Sequence, residues 1–347
     1  MRTGRRTIKY IIILIMILVF MIIVAASIGA AKVSLKETSI IIASLIPGLN
    51  TLVGSEGLSL QDIAIISTIR LPRIFLSIFV GIALASSGVI FQGLFRNPMA
   101  DPFVIGVSAG AAFGATIGLL FTSTITFINI STTTIFALLG ALATTFLVYS
   151  ISNIRGKIAV VTLLLSGIAL SAMLSSMTSF ILMFQSHDLA KVIFWLMGGF
   201  TSSSWYKFSI VAPVVILLIV VSGFYMRDLN IISLGDERAS QLGVQTDRVK
   251  RILLVTASLI AAMAVSVSGI IGFVGLITPH IMRIIVGPDH KILYPTSAIA
   301  GGIALLASDT LARVVLAPRE IPVGIITSVV GVPFFLYLLI RTKKKVF

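Results

Sequence analysis

From Tyr10 to Ala30 the chain reads YIIILIMILVFMIIVAASIGA, with no charged side chain in the whole stretch. An α-helix rises about 1.5 Å per residue, so about 20 such residues cross the hydrocarbon of a bilayer. Inside hydrocarbon every backbone N–H and C=O must be satisfied within the protein. A run of this kind is therefore a membrane-spanning helix. Further apolar runs of similar length follow, and none shows the ten-residue alternation of a membrane barrel strand. The chain is expected to be an all-α, polytopic membrane bundle.

Composition agrees. Of 347 residues, 57% are hydrophobic and 11% charged, with a mean hydropathy of +1.12. Water-soluble domains carry about 25% charged residues. The runs predict ten spanning helices: 10–30, 70–94, 103–122, 128–152, 158–184, 206–226, 252–270, 272–285, 295–314 and 322–340. The eighth is too short to cross alone. Residues 59–69, SLQDIAIISTI, read either as an interfacial helix before the second span or as an early start of that span. The whole chain, 1–347, is then one transmembrane domain, with its long polar interval near 227–251.

The net charge of +14 raises the question of nucleic acid. The basic residues instead cluster at the ends of spans, as the positive-inside rule describes. Both termini are basic, at Arg2, Arg5, Arg6 and Lys9 and again at Arg341 and Lys343 to Lys345. Both are expected in the cytoplasm, which an even number of crossings satisfies. The first span shares its basic start and small-residue end with signal peptides. Its apolar core is longer than theirs, so it is expected to be retained.

Several chemistries are missing. There is no cysteine, hence no disulfide framework and no thiolate metal site, and no His or carboxylate cluster is spaced as a metal site. No G-x-x-x-x-G-K-[ST] phosphate loop occurs, so the chain does not hydrolyse ATP by itself. No triad or carboxylate pair suggests an enzyme. Asp309 and Arg313 lie four apart on one span and can pair. Gly81, Ala85 and Gly88, and likewise Gly110, Gly114 and Gly118, are spaced for close helix packing.

One short polar segment interrupts all this, SLGDERASQLGV at Ser233 to Val244. Asp236 can cap a helix start, Glu237 suits its positive end, and Gly243 suits its stop. A second helix then starts at TDRVKR, with Thr246 or Asp247 as cap. A helix of one or two turns is marginal alone. Either it folds back on the bundle or it inserts into a cytoplasmic partner.

Five stretches in order carry a resemblance: RLPRIFLSIFVGIALASSGVIFQGLFRNPMADPFVIGVSAGA (70–111), FWLMGGF (194–200), LGDERASQLGV (234–244), GFVGLITPHIMR (272–283) and IPVGIITSVVGVPFFLYLL (321–339). The chain resembles the permease subunits of type II ABC importers for iron–siderophores, haem and vitamin B12, the FecCD/BtuC-type family. The resemblance implies a BtuC-like bundle of about ten helices. It implies a second permease subunit, identical or homologous, two cytoplasmic ABC ATPases that use ATP–Mg, and an extracytoplasmic binding protein. The permease itself would hold no cofactor. The cargo would be a metal chelate carried across the cytoplasmic membrane; an oxyanion such as molybdate, or a secondary transporter, are the alternative readings.

The same resemblance assigns residues. The segment 229–251 becomes the coupling element, with Leu234, Gly235, Asp236, Glu237, Ala239, Leu242 and Gly243 received by the ATPase. Arg70, Arg73 and Arg313 match positions that present arginines to glutamates of a binding protein, although helix-end anchoring and the Asp309 pair account for them locally. Asn97 and Met99 in RNPMADP, with Val160 and Val161, fall where the family narrows its exit. Trp195, Met197 and Gly198 fall on a short outer helix near the entrance.

Overall fold

The computed structural model describes residues 2–29, 33–48, 58–120, 131–154, 157–184 and 189–343. Its elements run α1 (Arg2–Ser27), α2 (Leu35–Ser44), α3 (Leu60–Ala64), a π-helical stretch Ile65–Arg70, α4 (Leu71–Leu94), a 3-10 turn Pro102–Ile105, α5 (Val107–Leu120) and α6 (Thr132–Ser152). A two-stranded hairpin, β1 (Asn153–Ile154) and β2 (Lys157–Ile158), leads to α7 (Val160–Met183), α8 (Leu189–Leu196) and α9 (Trp205–Gly223). Then come α10 (Met226–Ile232), α11 (Asp236–Gln241), α12 (Thr246–Ser268), α13 (Val274–Val286), α14 (His290–Val314) and α15 (Val323–Lys343).

Each of the ten expected spans has a helix. Among the described residues seven helical stretches are long and apolar enough to cross a membrane, while α5, α13 and Val323–Leu338 of α15 are shorter apolar helices. Only α13 was expected to be short. Residues 121–130 lie outside the described residues, so the outer limits of the third and fourth spans are not fixed.

Of the two readings of residues 59–69 the early start of the second span holds: residues 60–70 run unbroken into α4, a 35-residue helical stretch from Leu60 to Leu94. Pro72 explains the π-helical turn: its ring lacks an N–H and would strike the carbonyl one turn back, and widening the turn accommodates it. The fifth span starts at Val160, because residues 157–158 pair as β2 with β1.

α4 is buried along almost its whole length and forms the axis. α12, α13, α14 and α9 pack around it. Glycine makes the contacts tight. A Cβ on Gly88 would lie 1.8 Å from the Gly275 carbonyl oxygen, and one on Gly81 would lie 2.3 Å from that of Gly301. The second spaced set faces α6: a Cβ on Gly110 would reach Gly140 O at 2.4 Å, and one on Gly114 Phe136 O at 2.0 Å. Lipid offers apolar side chains as good a home as protein does. Close van der Waals contact and a few interhelical hydrogen bonds must therefore hold such helices together. Ser87 Oγ donates to Ala257 O at 2.8 Å and Gln92 Nε2 to Leu276 O at 3.0 Å. The periphery is apolar and open, with Phe20, Phe146, Phe180 and Leu217 exposed on α1, α6, α7 and α9.

Candidate functional site at the two ends of the bundle

From Arg73 to Arg96 α4 climbs about 35 Å, so these two residues mark opposite ends of the bundle. The Arg96 end carries the polar segment. α10 buries Met226, Leu229 and Ile232 in the core, and Asn230 Nδ2 donates to Asp289 Oδ1 at 2.7 Å. Gly235, at φ +120°, turns the chain out into α11. α11 ends in a Schellman motif: Val244 N–H donates to Ala239 O and Gly243 N–H to Ser240 O, each at 3.0 Å. Gly243 holds φ +83°, the left-handed conformation this motif requires.

Ala239 is fully buried and fixes α11 to the bundle, whereas Leu234 and Leu242 are 60% and 63% exposed. Glu237 is exposed beside them. A two-turn helix thus presents two apolar side chains and a carboxylate to whatever lies beyond it.

Asp236 does not cap α11, and neither Thr246 nor Asp247 caps α12: the N-cap positions are Gly235 and Gln245, without side-chain hydrogen bonds. The Asp236 carboxylate instead accepts from Arg96 on one oxygen and from Lys250 on the other. Burial alone would raise its pKa; the hydrogen bonds and charges of Lys250 and Arg96 outweigh this and hold it below the usual carboxylate range.

Arg96 stands where α4 ends in its own Schellman motif, with Asn97 N–H on Gln92 O at 3.1 Å and Arg96 N–H on Gly93 O at 3.2 Å. Its φ of +50° belongs to the position where glycine is usual. A non-glycine residue there costs about 1 kcal/mol or more. Sequence reasoning passed over Arg96; the signal was an arginine, not a glycine, at the helix stop.

The loop after Arg96 is stiff. Asn97 Oδ1 accepts from Met99 N–H at 2.9 Å, and Asp101 Oδ1 from Phe103 N–H at 2.8 Å. Burial pushes the Asp101 carboxyl up to about 6, against the lowering effect of the Phe103 hydrogen bond. Val160 lines a narrow crevice with Leu94, Phe95, Lys250 and Leu254, adjoining the Arg96–Asp236–Lys250 triad. Val161, 70% exposed, faces away from the core.

At the other end all three expected docking arginines are buried and engaged within the chain. The last carbonyls of α1 have no helical partner. Arg70 Nη1 donates to Ala26 O, Arg313 Nη2 to Ala25 O and Arg313 Nη1 to Ile28 O. Cations at a helix C-terminus are also favoured by its dipole. Arg73 donates to Asp309 at 2.8 Å and to Glu320 at 2.9 Å, and Arg313 lies 3.3 Å from Asp309 as the i,i+4 spacing allowed. Two arginines and two carboxylates thus form a neutral cluster, with Asp309 fully buried.

Arg73 and Glu320 also line a cavity of about 630 Å³, with Lys191, Lys207, Phe194, Trp195 and Gly198 on its wall. Lys207 Nζ donates to Ser202 Oγ at 2.8 Å. Trp195, Met197 and Gly198 sit at a junction of three helix ends. Gly199 N–H donates to Ser268 O at 2.8 Å, Val323 N–H to Gly198 O at 3.0 Å and Gly324 N–H to Met197 O at 3.1 Å. Gly198 holds φ +69°, and a Cβ there would lie 2.5 Å from Ile270 O.

Comparison with known proteins identifies the family and the fold. The chain is 47% identical over 275 residues to the cobalamin import system permease protein BtuC of Halobacterium salinarum, covering 79% of this chain and 73% of that protein. It is 40% identical over 284 residues to the hemin transport system permease protein HmuU of Yersinia pestis, covering 80% and 83%. Its fold superposes with a TM-score of 0.83 and 30% identity on a metal-chelate type ABC transporter solved in an inward-facing conformation, over 96% of this chain and 99% of that one. Residues 14–341 match the FecCD transport family. The chain belongs to that family and is the membrane permease subunit of an ABC importer, working with ATPase and binding-protein subunits.

Proposed function

We propose that the α11 end faces the cytoplasm, with both termini, and that residues 229–251 are the coupling segment of a single permease domain. Two such subunits, identical or homologous, enclose the pathway, and two ATPases holding ATP–Mg drive it. The cargo is a metal chelate: a ferric siderophore, haem or cobalamin. The observation that carries the coupling reading is the pair of exposed leucines, Leu234 and Leu242, flanking a short helix anchored behind them by Ala239 and Asp236. Exposed apolar side chains on a rigid, charged knob fit a groove in another protein.

The loop 96–102 and the start of α7, with Asn97, Met99, Val160 and Val161, narrow the exit. Motion of α11 reaches that loop through the Asp236–Arg96 pair. At the opposite end the binding protein docks around the cavity mouth. There Arg73 faces both Glu320 and the cavity, while Arg70 and Arg313 act by holding the end of α1. Trp195, Met197 and Gly198 shape the entrance.

The test uses proteoliposomes carrying the assembled importer. Leu242→Asp should abolish uptake while the assembly still hydrolyses ATP, and unchanged uptake would remove the coupling role. Competition among cobalamin, hemin and several ferric siderophores for the cognate binding protein identifies the cargo; binding of none of them would overturn the chelate reading.

A further inference from the structure

A second cavity, of about 580 Å³, opens at the cytoplasmic end between α9 and α14, which both pack on α4. Its depth is apolar, from Ile219, Met226, Tyr294, Pro295 and Ala298, with the exposed Phe224 at its edge. Its rim carries two cations, Arg227 at the start of α10 and Lys291 at the start of α14. Among the described residues neither has a hydrogen bond or ion pair from its side chain, and both are exposed. Asp289, two residues before Lys291, is otherwise engaged: its Oδ1 accepts from Asn230 Nδ2 and from the Lys291 backbone N–H at 3.0 Å, and Asp228, the residue after Arg227, does not line the cavity.

Geometry sets the depth. From Lys291 to Ala298 the α14 wall descends about 10 Å, and Ile219 to Gly223, the last turn of α9, stands opposite. The cavity therefore starts at the headgroup level and ends in the acyl region, with charge above and hydrocarbon-like surface below. Tyr294, whose hydroxyl contacts Ser222 Oγ at 2.6 Å, turns only its ring to the space. The lipid-facing side of α9 continues outward through the exposed Leu217, Val220 and Phe224.

We propose that this cleft binds an anionic phospholipid of the cytoplasmic leaflet, its phosphate between Arg227 and Lys291 and its upper acyl chain along Ile219, Phe224 and Ala298. Two unpaired cations over an apolar slot between helices favour that ligand over a lipid without net charge. A free anion would gain nothing from the apolar depth, and a cytoplasmic protein could not follow the slot into hydrocarbon. The proposal rests on the orientation given above. The bound lipid would fix α10 against α14 at the base of the coupling segment.

The test reconstitutes the assembled importer in nanodiscs of phosphatidylcholine doped with phosphatidylglycerol and counts retained lipids by native mass spectrometry. Each cation near an anionic headgroup is worth about fivefold in preference, so Arg227→Gln with Lys291→Gln should lower phosphatidylglycerol retention about 25-fold. Lys9→Gln, on α1, should leave it unchanged. Ala298→Leu, which fills the slot and keeps both charges, should also lower it. Equal retention of the two lipids by the unaltered protein, or displacement of phosphatidylglycerol by inorganic phosphate, would overturn the proposal. So would retention by the permease alone that is absent from the assembled importer, since the cleft would then be covered by protein. Uptake assays with Leu242→Asp test the coupling reading separately.

Discussion

Replacing Arg96 by glycine separates a mechanical role from a structural one. The backbone at Arg96 is in the left-handed region, and glycine releases about 1–2 kcal/mol of strain there. Against this, the Arg96–Asp236 pair is lost. Both side chains are partly exposed, at 39% and 51%, and such pairs contribute about 0.2–1 kcal/mol. Greater freedom of the unfolded chain removes a further 0.4–1 kcal/mol or so. The balance lies within about 1 kcal/mol of zero, so Arg96→Gly should unfold at close to the temperature of the parent protein. Coupling should nevertheless suffer, because Asp236 would keep only Lys250 and the exit loop would lose its tie to α11. In proteoliposomes with the assembled importer, ATP hydrolysed per solute taken up should rise several-fold. Asp236→Asn should do the same, and the double variant should be no worse than either alone. An unchanged ratio, with normal assembly, would refute transmission through this pair; a fall in stability large enough to account for lost uptake would make Arg96 merely structural.

Two further outcomes follow from buried charge. Asp309→Ala leaves Arg73 and Arg313 without their shared carboxylate and should destabilise the protein by about 3–5 kcal/mol, whereas Glu320→Gln, at the cavity edge, should cost less than about 1 kcal/mol; thermal unfolding in detergent measures both. Asp101 is raised to about 6 in the folded protein, so the fold favours its protonated form, and stability linked to it is present at low pH and declines as pH rises from about 4 through 6. Asp101→Asn keeps the oxygen that caps the 3-10 turn, and should therefore raise the unfolding temperature at pH 8 but not at pH 4; equal effects at both would show that the carboxyl is not held protonated.

The spans were legible because length and apolarity are properties of contiguous residues. So was the polar segment at 233–244, since nothing else in the chain breaks the pattern as sharply. The partners of charged side chains were not legible. Asp236 looked like a cap, yet its carboxylate is drawn to Arg96, 140 positions away in sequence, and to Lys250, leaving Gly235 to start the helix. Arg70 and Arg313 sit at span ends, where headgroups are the default partner. Only the return of α1 beside them supplies orphan carbonyls. The wider turn before Pro72 has no signature in the residue pattern, since the helix runs on through it. The hairpin at 153–158 had no alternation long enough to signal a strand.

At Gly88–Gly275 and Gly81–Gly301 main chain rests directly on main chain, and the same holds at Gly114–Phe136 and where Gly167 meets Val104. At these points no side chain lies between the two main chains to change rotamer and ease a slip of one helix past the other. α4, α13 and α14 are thereby keyed into one block, and α5, α6 and α7 into another. We propose that opening and closing of the pathway is a swing of one block against the other, with α12, which packs on both, between them. The chain crosses from the first to the second in the stiff stretch that follows Arg96, which makes that short crossing the natural pivot.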